Sequence, residues 1–272
     1  MMRLLALLAV ALSATAQGAD LAPAAPARLL ISGSTTMAPM VSEMARRFEL
    51  LYPGTSVEVH SVGSGRGISN LRAGTSSIGM VSRALLDSER ELFAFPIARD
   101  GVALIVHRDN PVKGLSAQQV LAIITGKTTN WKTVGGRNAA VTLIWRAQGQ
   151  GTTELLAEHL NFSHEQVSSQ VTIVELEALI NEVESHPNAI TPLSVAQAER
   201  GTQAGARIKL LAFDGVPASR KTIGNGSYPL SRPLSLVTQH LPEGAEKRFI
   251  DFALSAHVAD LLAKYDFVAY QD

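Results

Sequence analysis

Short apolar runs along this chain are followed by glycine- and hydroxyl-rich turns, and then by apolar residues at helical spacing. The first such unit sets the pattern. Leu29-Leu30-Ile31 runs into Ser32-Gly33-Ser34-Thr35-Thr36, after which Met40, Val41, Met44, Phe48 and Leu51 recur at i, i+3, i+4 intervals. Pro39 suits a first helical turn, where a missing N–H costs little. Strand, hydroxyl turn and helix N-terminus in that order present free N–H and O–H groups to an oxyanion. An ordinary Ser/Thr N-cap has the same look. Similar periodicity predicts strands at Leu29–Ser32, Val57–Ser61, Ile78–Ser82, Val102–His107, Val141–Trp145, Ile208–Ala212 and Leu234–Thr238. Helices are expected at Pro39–Leu51, Gly67–Ala73, Ala117–Thr125, Thr152–Asn161, Val174–Ser185 and Gly244–Tyr265. Alternation of this kind implies an α/β fold with helices on the sheet faces. The polar, irregularly spaced stretch from Lys113 to Gly226 suggests a second α/β domain inserted into the first.

The chain begins with Met1-Met2-Arg3, a short apolar core from Leu4 to Leu12, and small residues at Ala14-Thr15-Ala16. This is the pattern of a secretory signal peptide, expected over 1–19, with cleavage after Ala16 or Ala19. The apolar core falls short of the roughly 20 residues that span a bilayer. Residues 20–27, rich in Ala and Pro, read as a flexible mature N-terminus. There is no cysteine, which excludes disulfides, thiolate metal sites, cysteine nucleophiles and a lipid-anchored cysteine. The expected location is the periplasm. Charge is balanced, 24 basic residues against 24 acidic, and no basic stripe suggests nucleic acid. A neutral protein that holds a small anion must do so with local dipoles.

Two further turns have the chemistry of the first. Val62-Gly63-Ser64-Gly65-Arg66-Gly67-Ile68 follows a predicted strand, and its glycines let backbone N–H groups converge on a nest to which Ser64 adds a hydroxyl. The glycine spacing departs from the dinucleotide fingerprint, so a Rossmann cofactor is rejected. Trp145-Arg146-Ala147-Gln148-Gly149-Gln150-Gly151-Thr152-Thr153 stands between a strand and a helix. Arg146 can make a two-pronged contact with a tetrahedral oxyanion, while Gly149, Gly151 and Thr152 supply N–H groups at a helix start. Ser82, at the end of the Ile78–Ser82 strand, is a further hydroxyl. Arg83 either faces the ligand or pairs with Asp87 or Glu89.

Other chemistry is missing. Gly126-Lys127-Thr128 mimics the end of a P-loop, but Leu121 stands where its first glycine is required. No Gly-x-Ser-x-Gly elbow and no His-Glu-x-x-His occurs. No catalytic residue, metal site or cofactor is expected. Donors for an anion without a nucleophile or general base favour binding over catalysis.

These residues resemble the periplasmic phosphate-binding proteins of phosphate-specific ABC transporters. The matching words are Ser32-Gly33-Ser34-Thr35-Thr36, Gly63-Ser64-Gly65-Arg66-Gly67, Ile78-Gly79-Met80-Val81-Ser82-Arg83 and Pro96-Ile97-Ala98-Arg99-Asp100-Gly101. They continue through Asn110-Pro111-Val112, Gly126-Lys127-Thr128-Thr129-Asn130-Trp131 and Tyr228-Pro229-Leu230-Ser231-Arg232-Pro233-Leu234. The match is in order over about 29 to 270. The resemblance implies a two-lobed type II periplasmic binding protein, each lobe a mixed sheet flanked by helices, with the ligand in the cleft between lobes. Lobe 1 would comprise 28–99 and 230–272, and lobe 2 100–229. Phosphate contacts would come from Ser34, Thr35, Thr36, Ser64 and Ser82, and from Arg146, Gly151 and Thr152 of the opposite lobe, with Arg83 and Gln150 as further candidates. The implied ligand is inorganic phosphate or a similar oxyanion. The implied partner is the permease of an ABC transporter at the inner membrane, met transiently by a monomer.

Three departures from the family pattern bear on the site. Gln150 replaces the serine of a usual Gly-Ser-Gly-Thr, so a longer amide either donates to the anion or crowds the cavity. Ser77 replaces a common aspartate. Thr191-Pro192 replaces Gly-Tyr, removing a backbone donor from a strand or its hinge contact. Selectivity needs an acceptor for the O–H that phosphate carries and sulfate lacks. Ser82 offers only a hydroxyl, and Asp100 would serve if folded inward. Alternative readings are a receptor or sensor for another tetrahedral oxyanion, a secreted phosphate-ester hydrolase, and a secreted interaction protein with a vestigial cleft.

Overall fold

The computed structural model describes residues 27–169, 171–173 and 176–270. The expected signal peptide and nearly all of the N-terminal segment lie outside the described residues, as does Val174, where a helix was expected to begin. Among the described residues no helix is long and apolar enough to cross a membrane.

The strands in chain order are β1 Ala27–Gly33, β2 Thr55–Ser61, β3 Ile78–Val81, β4 Phe93–His107, β5 Gly114–Leu115, β6 Thr142–Arg146, β7 Val171–Ile173, β8 Ala189–Ser194, β9 Ile208–Leu210, β10 Ala212–Phe213, β11 Ser231–Thr238 and β12 Val268–Ala269. The helices are α1 Ala38–Leu51, α2 Ser64–Arg72, α3 Ala117–Ile124, α4 Gly151–Leu160, α5 Leu176–Ser185, α6 Val195–Gln203, α7 Arg220–Gly224, α8 Gly244–Ala253 and α9 Ala259–Lys264.

The fold is α/β and two-lobed, and β4 joins the lobes. Its first part, Phe93–Gly101, pairs antiparallel with β11, and its second, Val102–His107, pairs with β8 and β9. The main path runs β2-β1-β3-β11-β4-β8-β6-β7. One core gathers Ile31, Met40, Met44, Phe48, Met80, Leu236 and Phe249 under α1 and α8, with Phe48 and Phe249 edge to face at 5.1 Å. The larger core of the other lobe is built on Val102, Leu104, Trp131, Leu143, Trp145, Leu156 and Tyr228.

Strands β1, β2 and β3 are parallel, so their carboxyl ends share one edge of the first sheet. Strand β6 ends at Arg146, on the rim of the other lobe. Open α/β sheets hold ligands beyond the carboxyl ends of their strands. The hydroxyl- and glycine-rich turns therefore meet across the cleft because each directly follows one of these strands.

Three expectations need correction. The C-terminal helix expected over Gly244–Tyr265 is broken. The Ser255 hydroxyl donates to the Phe252 carbonyl at 2.7 Å and accepts from the His257 N–H, a local alternative to the helical ladder, and α9 starts afresh after it. The strand expected at Val102–His107 begins nine residues earlier, at Phe93. Pro96 and Gly101 disguise it. The ladder with β11 shifts register between Leu234 and Ser235, so that Pro96 sits at an irregularity, where a missing N–H is tolerated. Helix α2 starts at Ser64, not Gly67, after Gly63 at φ +94°. Pro192 lies inside β8 and pairs in register with Leu104, past the Ala189–Ile190 pairing with β6.

Candidate functional site

The Ser34–Met37 turn is anchored by the Ser34 N–H, which donates to the Met80 carbonyl at 2.8 Å. The Ser34 hydroxyl turns back to accept from the Met37 N–H at 3.4 Å. Gly33 makes this approach possible. Its φ is +143°, and a Cβ there would stand 2.2 Å from the Met80 carbonyl oxygen. Ser34 and Thr36 are buried, and Thr35 is half-buried at the cleft.

Across the cleft, Arg146 is buried and its Nη1 donates to the Thr35 hydroxyl at 3.1 Å. The Thr35 hydroxyl in turn donates to the Gln150 Oε1 over 3.5 Å. The second group lies alongside. Ser64 and Ser82 have their hydroxyl oxygens 3.3 Å apart, and the Ser82 N–H donates to the Ser64 hydroxyl at 3.2 Å. Gly151 rests on both: a Cβ at Gly151 would stand 2.5 Å from the Ser82 hydroxyl and 2.8 Å from that of Ser64. A main-chain bond from the Gly65 N–H to the Gly149 carbonyl, 3.1 Å, also joins the lobes. The N-terminus of α4, which begins at Gly151, is thus pressed onto the hydroxyl loops of the other lobe. Thr152 is buried in its first turn, and its hydroxyl has no partner among the described residues.

Two charged groups are placed in ways the sequence did not resolve. Arg83 does not join the hydroxyls. Its Nη1 and Nη2 take both oxygens of Glu89 at 2.7 and 2.8 Å, and its Nε reaches Glu154 of α4 at 2.8 Å. With both sides of its guanidinium held by carboxylates, Arg83 makes a cross-lobe ion pair, and the Glu89 half of it is one of the two readings the sequence offered. Burial pushes the Glu89 carboxyl up, but Arg83 and the Leu86 N–H outweigh this and hold it below the ordinary carboxylate value.

Arg232, on β11, is the residue sequence reasoning missed. It is buried, donates to Asp100 Oδ2 at 2.8 Å, and reaches the Ser82 carbonyl at 3.0 Å, the Ser82 hydroxyl at 3.3 Å and the Thr36 hydroxyl at 3.3 Å. Asp100 does fold inward. Its Oδ1 accepts from the Ala196 N–H at 3.3 Å and its Oδ2 from Arg232, so it neutralises the arginine and has a donor on each oxygen. The word Ser231-Arg232-Pro233 was visible in the sequence, but a charged residue beside a proline carries no periodic mark of burial.

The arrangement brings together buried hydroxyls, a helix N-terminus and the Arg146 and Arg232 guanidinium groups. That chemistry binds an anion and lacks an evident nucleophile with its base. Among the described residues no group of three or more His, Asp or Glu side chains could hold a metal ion.

A family model described as a PBP superfamily domain matches residues 19–257. A phosphate-binding protein PstS of Bacillus subtilis is 27% identical over 234 residues, covering 85% of this chain and 76% of that protein. The PstS of Borreliella burgdorferi is 25% identical, covering 88% of each. Among solved structures, a chain from Clostridium perfringens described as a phosphate ABC transporter substrate-binding protein with bound phosphate has a TM-score of 0.81 and 35% identity. The match covers 90% of this chain and all of that one. An ABC-type phosphate transport receptor from Vibrio cholerae has a TM-score of 0.77 and 27% identity, covering 89% and 100%.

Proposed function

We propose a function on one premise: this chain belongs to the PBP superfamily. It is a substrate-binding protein of a phosphate ABC transporter, and it binds phosphate. A curated relative described as a phosphate-binding protein, and two solved structures described as phosphate ABC transport proteins, match it along most of their length. The observation that carries the reading in this chain is the meeting of the lobes on a donor-lined cleft. Arg146 reaches Thr35 across it, and Gly151 lies on the Ser64–Ser82 pair.

Our finer reading divides the lobes at 28–99 with 230–272 and at 100–229. It assigns the phosphate to Ser34, Thr35, Thr36, Ser64, Ser82, Arg146, Gly151 and Thr152, with the Ser34 oxygen also shaping the turn. Buried N–H and O–H donors bind an oxyanion because they exchange its hydration shell for fixed dipoles, and charge-assisted bonds from Arg146 add strength. Closure buries the anion, and a monomer in the periplasm presents the closed form to a permease. Delivery without chemical conversion needs no nucleophile, which fits the residues present better than phosphate-ester hydrolysis.

A thermal-unfolding titration of the mature protein with phosphate, sulfate, arsenate and molybdate tests this. Phosphate at about 100 times its dissociation constant should add roughly 2.7 kcal/mol of stability, and Arg146→Ala should abolish most of the shift. No stabilisation by any of the four anions removes the receptor reading. An unchanged shift in Arg146→Ala removes Arg146 from the site.

A further inference from the structure

We propose that the side-chain carbonyl of Gln150 reads the proton on the bound oxyanion, which makes Gln150 the residue that sets phosphate above sulfate. The proposal rests on the phosphate reading of the cleft and deepens it.

Five of the cleft hydroxyls already accept a hydrogen bond. The oxygens of Ser34, Thr35 and Ser64 accept from the Met37 N–H, Arg146 and the Ser82 N–H. Those of Thr36 and Ser82 each accept from Arg232. A hydroxyl has one proton to give and two lone pairs; with one lone pair of each engaged, its O–H is the group it turns most readily to an anion. Nearby carbonyls are engaged as well, Gly33 O by two donors and the others by one. Ser82 O accepts from Arg232, Gly149 O from the Gly65 N–H, and Gly33 O from the Val62 and Gly63 N–H groups. Asp100 is taken by Arg232 and the Ala196 N–H.

Gln150 Oε1 differs. Its one partner is the Thr35 hydroxyl, at a long 3.5 Å, a contact that an anion drawing the Thr35 proton would displace. The network also sets which end of the amide points inward. Thr35 accepts from Arg146, and its own proton goes to the amide oxygen. The Nε2 end lies against Gly63, where a Cβ would come within 2.8 Å of it. Gly63 thus leaves a notch into which the amide fits, and Gln150 is buried there. A neutral carbonyl accepts the O–H of hydrogen phosphate. Facing sulfate, which has no proton, it sets a lone pair against a charged oxygen. Among the described residues two other oxygens near the lobe contact have no donor: the Thr152 hydroxyl, which also carries a proton to give, and Glu154 Oε1, 3.1 Å from a Cβ placed on Gly65 and on the carboxylate that Arg83 holds.

Calorimetric titration with inorganic phosphate and with sulfate decides the matter. Wild type should prefer phosphate. Gln150→Leu should narrow the preference about tenfold by weakening phosphate while sulfate holds or tightens, the worth of one charge-assisted hydrogen bond. Gln150→Glu should keep the preference or widen it, and Gln150→Met repeats the first arm if the branched side chain unfolds the protein. Equal weakening of both anions by Gln150→Leu and by Gln150→Met overturns the proposal, since Gln150 would then serve closure alone. A preference lost in Glu154→Gln instead of the Gln150 variants, or no preference in wild type, overturns it too. Failure of the receptor reading looks different: wild type would bind neither anion.

Discussion

Arg232 and Asp100 are both fully buried, and they are paired at 2.8 Å. Removing one partner of such a pair strands a charge in a medium that solvates it poorly, at a cost of about 3–5 kcal/mol, whereas replacing both by neutral groups is often tolerated. Arg232→Met should therefore lose about 3–5 kcal/mol in urea unfolding. Asp100→Asn added to it should return most of that loss. Phosphate affinity should not return, because the double variant still lacks the guanidinium that fixes Thr36 and Ser82. A double variant that binds phosphate like wild type would reduce the pair to scaffold. The contrast with Arg146 shows what a sequence can and cannot give at this scale. Arg146 closes a strand and opens a glycine turn, a position with a functional reading of its own. Arg83 had two readings, and only the positions of Glu89 and Glu154 choose between them. Asp100 was named as a conditional acceptor, and its true partner lies 132 residues away in sequence.

At the scale of elements, the turns that form the cleft depend on helix α2 lying against β1. A Cβ at Gly67 would stand 2.7 Å from both the Gly33 Cα and the Ser32 carbonyl oxygen. Gly67 is helical, so no left-handed backbone is involved; close approach alone demands the glycine. Gly67→Ala should push α2 off the strand and cost about 1–3 kcal/mol of stability, the usual range for overpacking. It should also weaken phosphate, since Ser64 begins the same helix. Chemical denaturation and titration of the one variant check both effects, and a variant of wild-type stability would show that α2 has room to shift. Alternation was legible here because β1, β2 and β6 are short strands with a turn and a helix directly behind each. The first half of β4 was not, because Pro96, Arg99, Asp100 and Gly101 break the apolar run, and long-range pairing with β11 supplies the structure that local pattern lacks. The continuous C-terminal helix was overread for the opposite reason. Its apolar spacing persists through Leu254 and Val258, while the Ser255 side chain satisfies the backbone differently.

For the whole molecule, the lobes meet through contacts that belong to the chain itself. The Gly65–Gly149 main-chain bond and the Arg83–Glu154 ion pair hold the cleft shut beside the anion donors, not through them. A receptor whose closed form is populated in part binds with an affinity reduced by that fraction, so contacts formed only on closure raise affinity without touching the ligand. Arg83 has 1% of its side chain exposed and Glu154 17%, and a charge-assisted bond so shielded is worth more than a surface pair. Glu154→Gln keeps the shape of the side chain and leaves Arg83 on Glu89. It should weaken phosphate roughly five- to tenfold, on the order of one net hydrogen bond. The loss should appear as faster release with little change in association, because the ion pair forms after the anion has entered. Lys247→Ala is the control. Its partner Asp251 lies one turn along α8, and both side chains are more than half exposed, so its removal should leave binding unchanged. Stopped-flow release measured at low and high salt separates the two, since a shielded pair is little screened. Slower association in Glu154→Gln, with release unchanged, would mean that Glu154 steers the entry of the anion and does not hold the cleft closed.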